Sequence, residues 1–248
     1  MKKHNSYSAW SDPSDVLDLQ PHHVDIWHIH LHLADDLITL LAATLSVDET
    51  QRAARFHSPA DRDRFILTHG CLRAILAQYL HCEPGQINFS TNQYGKPELH
   101  EHNLEFNLSH SGEFALVAVT LKSKVGVDVE RIRQGISSHV IAQQYFSKSE
   151  VAELEALPID QRESAFFTCW TRKEAYIKAQ GMGLSLPLES FDVSLTPNEP
   201  AILRATRPDL EEAARWTLIS LDVDPDYGSS VAVQSREMEF RLWNWAMK

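Results

Sequence analysis

Apolar and polar positions alternate through "VGVDVERI" (125–132). In an extended chain Val125, Val127 and Val129 share one face, while Asp128 and Glu130 share the other. The pattern predicts a strand and leaves two readings of its acids open. One is the wet outer face of an antiparallel strand; the other is two-thirds of a site for a hard cation. Strand-like runs recur at "VDIWHIHL" (24–31), "INFST", "LEFNLS", "FALVAVTL", "FDVSL", "WTLISLDV" and "SVAVQS". Ser46 with Glu49 forms a capping box that predicts a helix through Arg55. Ser58 and Pro59 open a long helix that runs through "RAILAQYL". Asp160 with Glu163 predicts the cap of another helix, "QRESAFFTCWTRKEAYIKAQ", which stops at Gly181.

Each half of the chain thus offers a long helix followed by short strands. "RAILA" (73–77) and "EAYIK" (174–178) echo one another at the same stage of each helix. These features predict an α+β fold of two pseudo-symmetric lobes, each a long helix packed on a small, mostly antiparallel sheet. Residues 1–22 read as a loose N-terminal segment. Residues 23–122 read as the N-terminal lobe, and 123–248 as the C-terminal lobe carrying the cation site.

Composition narrows the function classes. A formal charge of −11, shared almost equally by the halves and with no basic tail, argues against nucleic acid or anionic membrane as a partner. No apolar run reaches membrane-spanning length, and no apolar stretch follows the two N-terminal lysines. Cys71, Cys82 and Cys169 are scattered and odd in number, which fits a reducing compartment better than a disulfide framework. A cytoplasmic location is expected.

The helix "FFTCWTRKEAYIKAQGMGL" adds candidate chemistry. Trp170, Glu174 and Lys178 lie at i, i+4 and i+8, along one stripe. A surface Glu–Lys pair accounts for the charges but not for Trp170 in line with them; a charged stripe edged by aromatics reads as a cleft wall. Asp128, Glu130 and Glu174 together would offer three carboxylates, a set suited to magnesium and a phosphorylated substrate. His28, His30 and His32 alternate in "WHIHLHL". Alternate residues lie about 7 Å apart along a strand, which suits tetrahedral metal ligation poorly, so these histidines are expected to be structural.

"VGVDVERI" followed by "FFTCWTRKEAYIKAQGMGLSLPL" resembles the 4′-phosphopantetheinyl transferases, in their large monomeric, surfactin-synthetase-associated class. The family's G-[IV]-D-[IV]-E strand and W-[ST]-x-K-E-[AS]-hydrophobic-x-K helix are both complete here, at 126–130 and 170–178. "RFHSPADRDRF" (55–65), "YGKPEL" (94–99) and "FNLSHSG" (106–112) also match. The resemblance implies transfer of 4′-phosphopantetheine from coenzyme A to a serine of an apo acyl or peptidyl carrier protein. It implies magnesium on Asp128, Glu130 and Glu174, with Glu174, Lys178 and Asp128 as the catalytic set. Ser109, His110 and Lys178 would meet the pyrophosphate, and Arg52, Arg64 and Lys96 the adenosine end with its 3′-phosphate. Glu49 departs from the pattern, since some relatives carry a basic residue there. The carrier would dock near 131–150, on Arg131, Arg133, Val140, Ile141 and Phe146; a linker helix packed on the second lobe accounts for that segment equally well. The same acids would serve another magnesium-dependent phosphotransferase or phosphodiesterase, and a non-catalytic carrier-binding relative would keep the fold.

Overall fold

The computed structural model describes residues 6–14, 17–31, 35–99, 102–133, 135, 138–196 and 199–246. His32 lies outside the described residues, as do positions 1–5, 15–16, 134, 136 and 137. In chain order the first half holds β1 (Ser6–Tyr7), β2 (His23–His30), α1 (Asp35–Ala42), α2 (Val47–Ala53) and α3 (Pro59–Leu80). Then come β3 (Ser90–Thr91), β4 (Pro97–Glu98), β5 (Leu104–Ser111) and β6 (Phe114–Leu121). The second half holds β7 (Val125–Arg131), α4 (Ser138–Tyr145), α5 (Lys148–Ala156) and α6 (Ile159–Gln180). It ends with β8 (Phe191–Val193), β9 (Leu203–Thr206), β10 (Thr217–Leu221), β11 (Tyr227–Val233) and β12 (Glu239–Asn244).

The α+β class expected from the sequence is what the fold has. One four-stranded sheet runs β12-β2-β6-β5 and a second runs β1-β10-β11-β7. Most neighbours are antiparallel, but β12 on β2 and β1 on β10 are parallel. Each sheet carries one 22-residue helix, α3 on the first and α6 on the second. The inner faces of the sheets meet in a shared core: Val24, Ile26, Leu116 and Ala118 from the first, Val125, Val127, Val129 and Val231 from the second. The valine face of β7 is therefore spent between the sheets, leaving its acid face turned toward α6.

Local signals explain most boundaries. The Ser46–Glu49 box forms, with each side chain accepting from the other residue's backbone N–H. Ser58 caps α3, and Gly181 ends α6 in the left-handed region at φ +69°. The Asp160–Glu163 box does not form. The helix begins two residues earlier, after Pro158, so Asp160 falls in the first turn, where its charge favours the helix dipole. The "INFST" strand shrinks to Ser90–Thr91, paired only with Pro97–Glu98. The N-terminal segment contributes β1 to the second sheet, and β12 returns to the first, so both chain ends cross between sheets.

His28 and His30 of β2 pack against aromatic rings. His28 and His30 both rest on Phe114, at 4.9 and 5.1 Å between ring centroids, and His28 also meets Trp10. Burial, with the nearby His30, lowers the proton affinity of His28.

Candidate active site

The site lies where β5 and β7 run side by side under α6. Gly126, Asp128 and Glu130 share the β7 face toward that helix. A Cβ on Gly126 would stand 2.1 Å from the Ala175 carbonyl oxygen and 2.4 Å from the Ala179 nitrogen, so only glycine allows this approach. From 171 to 179, α6 is buried at every position except Glu174 and Lys178, and Trp170 one turn earlier is also half-buried. That stripe opens onto a cavity of about 370 Å³, lined by Leu108, Ser109, His110, Asp128, Glu130, Trp170, Glu174 and Lys178. Of the residues the sequence singled out, three acids, Lys178, Ser109 and His110 thus share one wall system.

Asp128 is 2% exposed. Its Oδ1 accepts from Lys178 Nζ at 2.6 Å and from Ser109 Oγ at 2.9 Å. Lys178 Nζ also donates to Ser109 Oγ at 2.9 Å. Ser111 Oγ donates to Glu130 Oε2 at 2.9 Å. The opposite oxygen of Asp128, Oδ2, is buried and has no hydrogen-bond partner among the described residues. A buried carboxylate oxygen without a donor is costly, and the position suits a cation.

Electrostatics point the same way. Burial and the neighbouring Asp128 carboxylate, with a smaller push from Glu130, hold the Glu174 carboxyl up at about 7, against the opposing charge of Lys178. Burial, then Asp128, also raises Glu130. Mutual repulsion of clustered carboxylates is the second cause in both cases. The three do not close on a common point: among the described residues, the group of acids and imidazoles whose ligand atoms all lie within 4.8 Å of one another is His22, His23 and Glu239, at a sheet edge. Repulsion, and the commitment of Asp128 Oδ1 to Lys178, explain the spread.

On the opposite side the field is positive. Burial lowers the proton affinity of His110, and the charges of Lys178, Arg64 and His69 lower it further. These groups crowd one region, as an anion site requires. Arg64 lies at the edge, paired to Asp61 at 3.2 Å. Arg52 rests over the Phe65 ring at 5.3 Å, and Phe65 stacks on His69 at 4.0 Å. Lys96 is not on the cavity wall. Its amine faces the carbonyls of Val125 and Ala179 at 3.4 and 3.5 Å, and burial lowers its proton affinity.

Two motif residues have structural duties. Lys173, the first lysine of the α6 motif, is wholly buried, donating to the Leu188 and Phe191 carbonyls and pairing with Glu150 at 2.8 Å. Adjacent helix positions point about 100° apart, so Lys173 enters the core while Glu174 enters the cavity. Glu49, the departure noted above, binds buried Arg73 at 2.7 Å and His69 at 3.2 Å. Sequence reasoning passed over His69, Asn107 and Ser111. The polar alternation of Asn107, Ser109 and Ser111 was the available signal for two of them.

Beside the cavity lies an open groove of about 330 Å³, lined by Glu130, Arg131, Arg133, Ile141, Phe166, Phe167 and Trp170. Val140 is exposed nearby, whereas Phe146 is buried in the core against Phe166 and Trp170. Phe146 is therefore not part of an exposed surface: its ring closes the junction of α4 and α6.

The sequence profile of the 4′-phosphopantetheinyl transferase superfamily matches residues 124–233, and that of the 4′-phosphopantetheinyl transferase N-terminal region matches 34–122. The 4′-phosphopantetheinyl transferase HetI of Nostoc sp. is 38% identical, over 96% of this chain and 98% of its own. The 4′-phosphopantetheinyl transferase psf-1 of Bacillus pumilus is 33% identical, over 84% and 89%. The transferase Sfp of Bacillus subtilis is 31% identical, over 75% and 81%. A solved holo-[acyl-carrier-protein] synthase of Thermotoga maritima overlays on 46% of this chain and 63% of its own at 18% identity and a TM-score of 0.37, too partial a likeness to add weight. The chain belongs to the 4′-phosphopantetheinyl transferase superfamily.

Proposed function

We propose that this protein transfers the 4′-phosphopantetheinyl group of coenzyme A to a serine hydroxyl of an apo acyl or peptidyl carrier protein. The serine oxygen bonds to the β-phosphorus as the bond from that phosphorus to the bridging oxygen breaks. The bridging oxygen keeps the electron pair and leaves on adenosine 3′,5′-bisphosphate. The observation that carries the reading is the buried, unpartnered Oδ2 of Asp128, set among further carboxylates on one side and cationic groups on the other.

Asp128, Glu130 and Glu174 would hold magnesium. When bound, the ion neutralises pyrophosphate charge and helps hold the phosphorus in line. The residues present fit it, since oxygen donors of this kind suit a hard cation shared with phosphates. Glu174, beside the reacting phosphate, takes the serine proton. Lys178 is already placed within 2.9 Å of both Asp128 and Ser109, and it stabilises charge developing on the transferred group. His110 holds the pyrophosphate beside Ser109, whose hydroxyl keeps Asp128 and Lys178 in place. Arg52, Arg64 and Lys96 take the adenosine end, Lys96 from its perch at the C-terminus of α6.

The groove lined by Arg131, Arg133, Ile141 and Trp170 receives the carrier, presenting apolar surface with two cations beside the metal acids. The enzyme acts as a monomer in the cytosol. One chain supplies both lobes of the site, and its three cysteines are free thiols. No helix among the described residues is long and apolar enough to cross a membrane.

The test is intact-mass analysis of a purified apo carrier incubated with coenzyme A, magnesium and this protein. A gain of one phosphopantetheinyl group, with stoichiometric adenosine 3′,5′-bisphosphate, is expected. Hydrolysis of coenzyme A without carrier modification would make it a phosphodiesterase instead.

A further inference from the structure

β5 and β7 are edge strands of different sheets, and no backbone ladder joins them. Side chains of β5 do that work. Asn107 Oδ1 accepts the N–H of Val127 at 2.9 Å, Ser109 Oγ that of Val129 at 3.3 Å, and Ser111 Oγ that of Arg131 at 3.1 Å. Three alternate residues of one strand thus satisfy three alternate N–H groups of the other. The spacing follows from the two-residue period of both strands.

The two hydroxyls also act in the opposite direction. A serine oxygen offers one proton and two lone pairs. Ser109 gives its proton to Asp128 and accepts from Val129 and Lys178, which exhausts its capacity. Ser111 accepts from Arg131 and gives its proton to Glu130. Asn107, at the far end of the row, accepts from the Val127 backbone and, among the described residues, makes no bond to a carboxylate. Ser111 is 7% exposed, so water competes little for that proton. The bonds that join the lobes are in two of three places the bonds that aim a carboxylate.

We propose that Ser111 is a positioning residue for the metal site, its hydroxyl fixing the Glu130 carboxylate while it pins β7 to β5. A glutamate on a strand has three side-chain torsions to order. Magnesium demands near-ideal octahedral geometry, so an acid held in advance binds it better than one free to swing. A backbone ladder would hold the strands equally well but could not reach the acids. The inference rests on the reading of Glu130 as a magnesium ligand.

The experiment is calorimetric titration of magnesium into the protein saturated with coenzyme A, with the metal-free melting temperature measured in parallel. Outer partners of metal ligands are typically worth 10–100-fold in affinity. Ser111→Ala should weaken magnesium about tenfold, and Ser111→Thr, which keeps the hydroxyl, should recover most of that loss. Asn107→Ala should lower the melting temperature while leaving magnesium affinity close to that of the parent. Ser111→Cys, similar in shape but a weak donor, gives the same comparison if the alanine variant does not fold. Parental affinity in Ser111→Ala, or an equal loss in Asn107→Ala, overturns the positioning role. Glu130→Gln, titrated alongside, separates the two failures: unchanged affinity there overturns the reading of Glu130 as a ligand.

Discussion

Glu49 is tied to three partners at once: His69, Arg73 and the Ser46 backbone N–H. Burial alone would raise its carboxyl, but His69, the Ser46 backbone N–H and Arg73 outweigh that and hold it at about 2. Its folded value lies below the ordinary 4.5. The stability it contributes is therefore present above about 4.5 and lost as pH falls toward about 2. Glu49→Gln strands Arg73, which is 1% exposed, beside the Pro84 and Ile87 carbonyls. Breaking such a pair costs on the order of 3 kcal/mol at neutral pH. Urea unfolding at a series of pH values should show that gap narrowing from pH 5 downward. A gap that stays constant would mean that Glu49 acts through packing. The capping box with Ser46 was legible in the sequence. Its partnership with Arg73 was not, because 24 residues separate them and only the docking of α2 on α3 brings them together.

At the scale of elements, the close contact of β7 with α6 brings Asp128 and Lys178 within 2.6 Å. Gly126 permits that contact. Gly126→Ala would set a methyl against the backbone of Ala175 and Ala179, atoms no rotamer change can move. Overpacking of this kind typically costs about 1–3 kcal/mol, and the displaced helix carries Glu174 and Lys178 with it. Chemical denaturation should show that loss, and transfer activity should fall further than the unfolded fraction explains. A parental midpoint would mean the two elements can separate freely. The α6 stripe of Trp170, Glu174 and Lys178 was readable from periodicity. That Lys173 faces the core was not, since the helix is buried nearly all round and its polarity pattern gives no single wet face. β12 and β1 were also unreadable: each is an edge strand whose partner lies at the other end of the chain.

That crossing of chain ends governs the whole molecule. Arg241 on β12 grips Asp25 on β2 through two nitrogens, at 2.6 and 2.8 Å, and Asp25 is wholly buried. Tyr79 of α3 donates to the same carboxylate at 2.7 Å, and Trp27 donates to Tyr79. Arg241→Ala would leave Asp25 buried without its countercharge, a loss of about 3–5 kcal/mol. Adding Asp25→Asn should recover part of it, a coupling that a double-mutant cycle reads directly; strict additivity would mean the pair contributes nothing jointly. β5 forms the other edge of that sheet, paired to β6, and its serines hold the acids of β7. Turnover therefore depends on both lobes, and the central claim is that their junction places Glu174 as ligand and base. The direct measurement is single-turnover modification of apo carrier, followed by intact mass in saturating magnesium and coenzyme A, for the parent and Glu174→Gln. Removing a general base typically costs about 10²–10⁴-fold, and the account predicts a fall of at least that size with the fold intact. A Glu174→Gln rate within a few-fold of the parent would contradict it, leaving Glu174 as a bystander on the cavity wall.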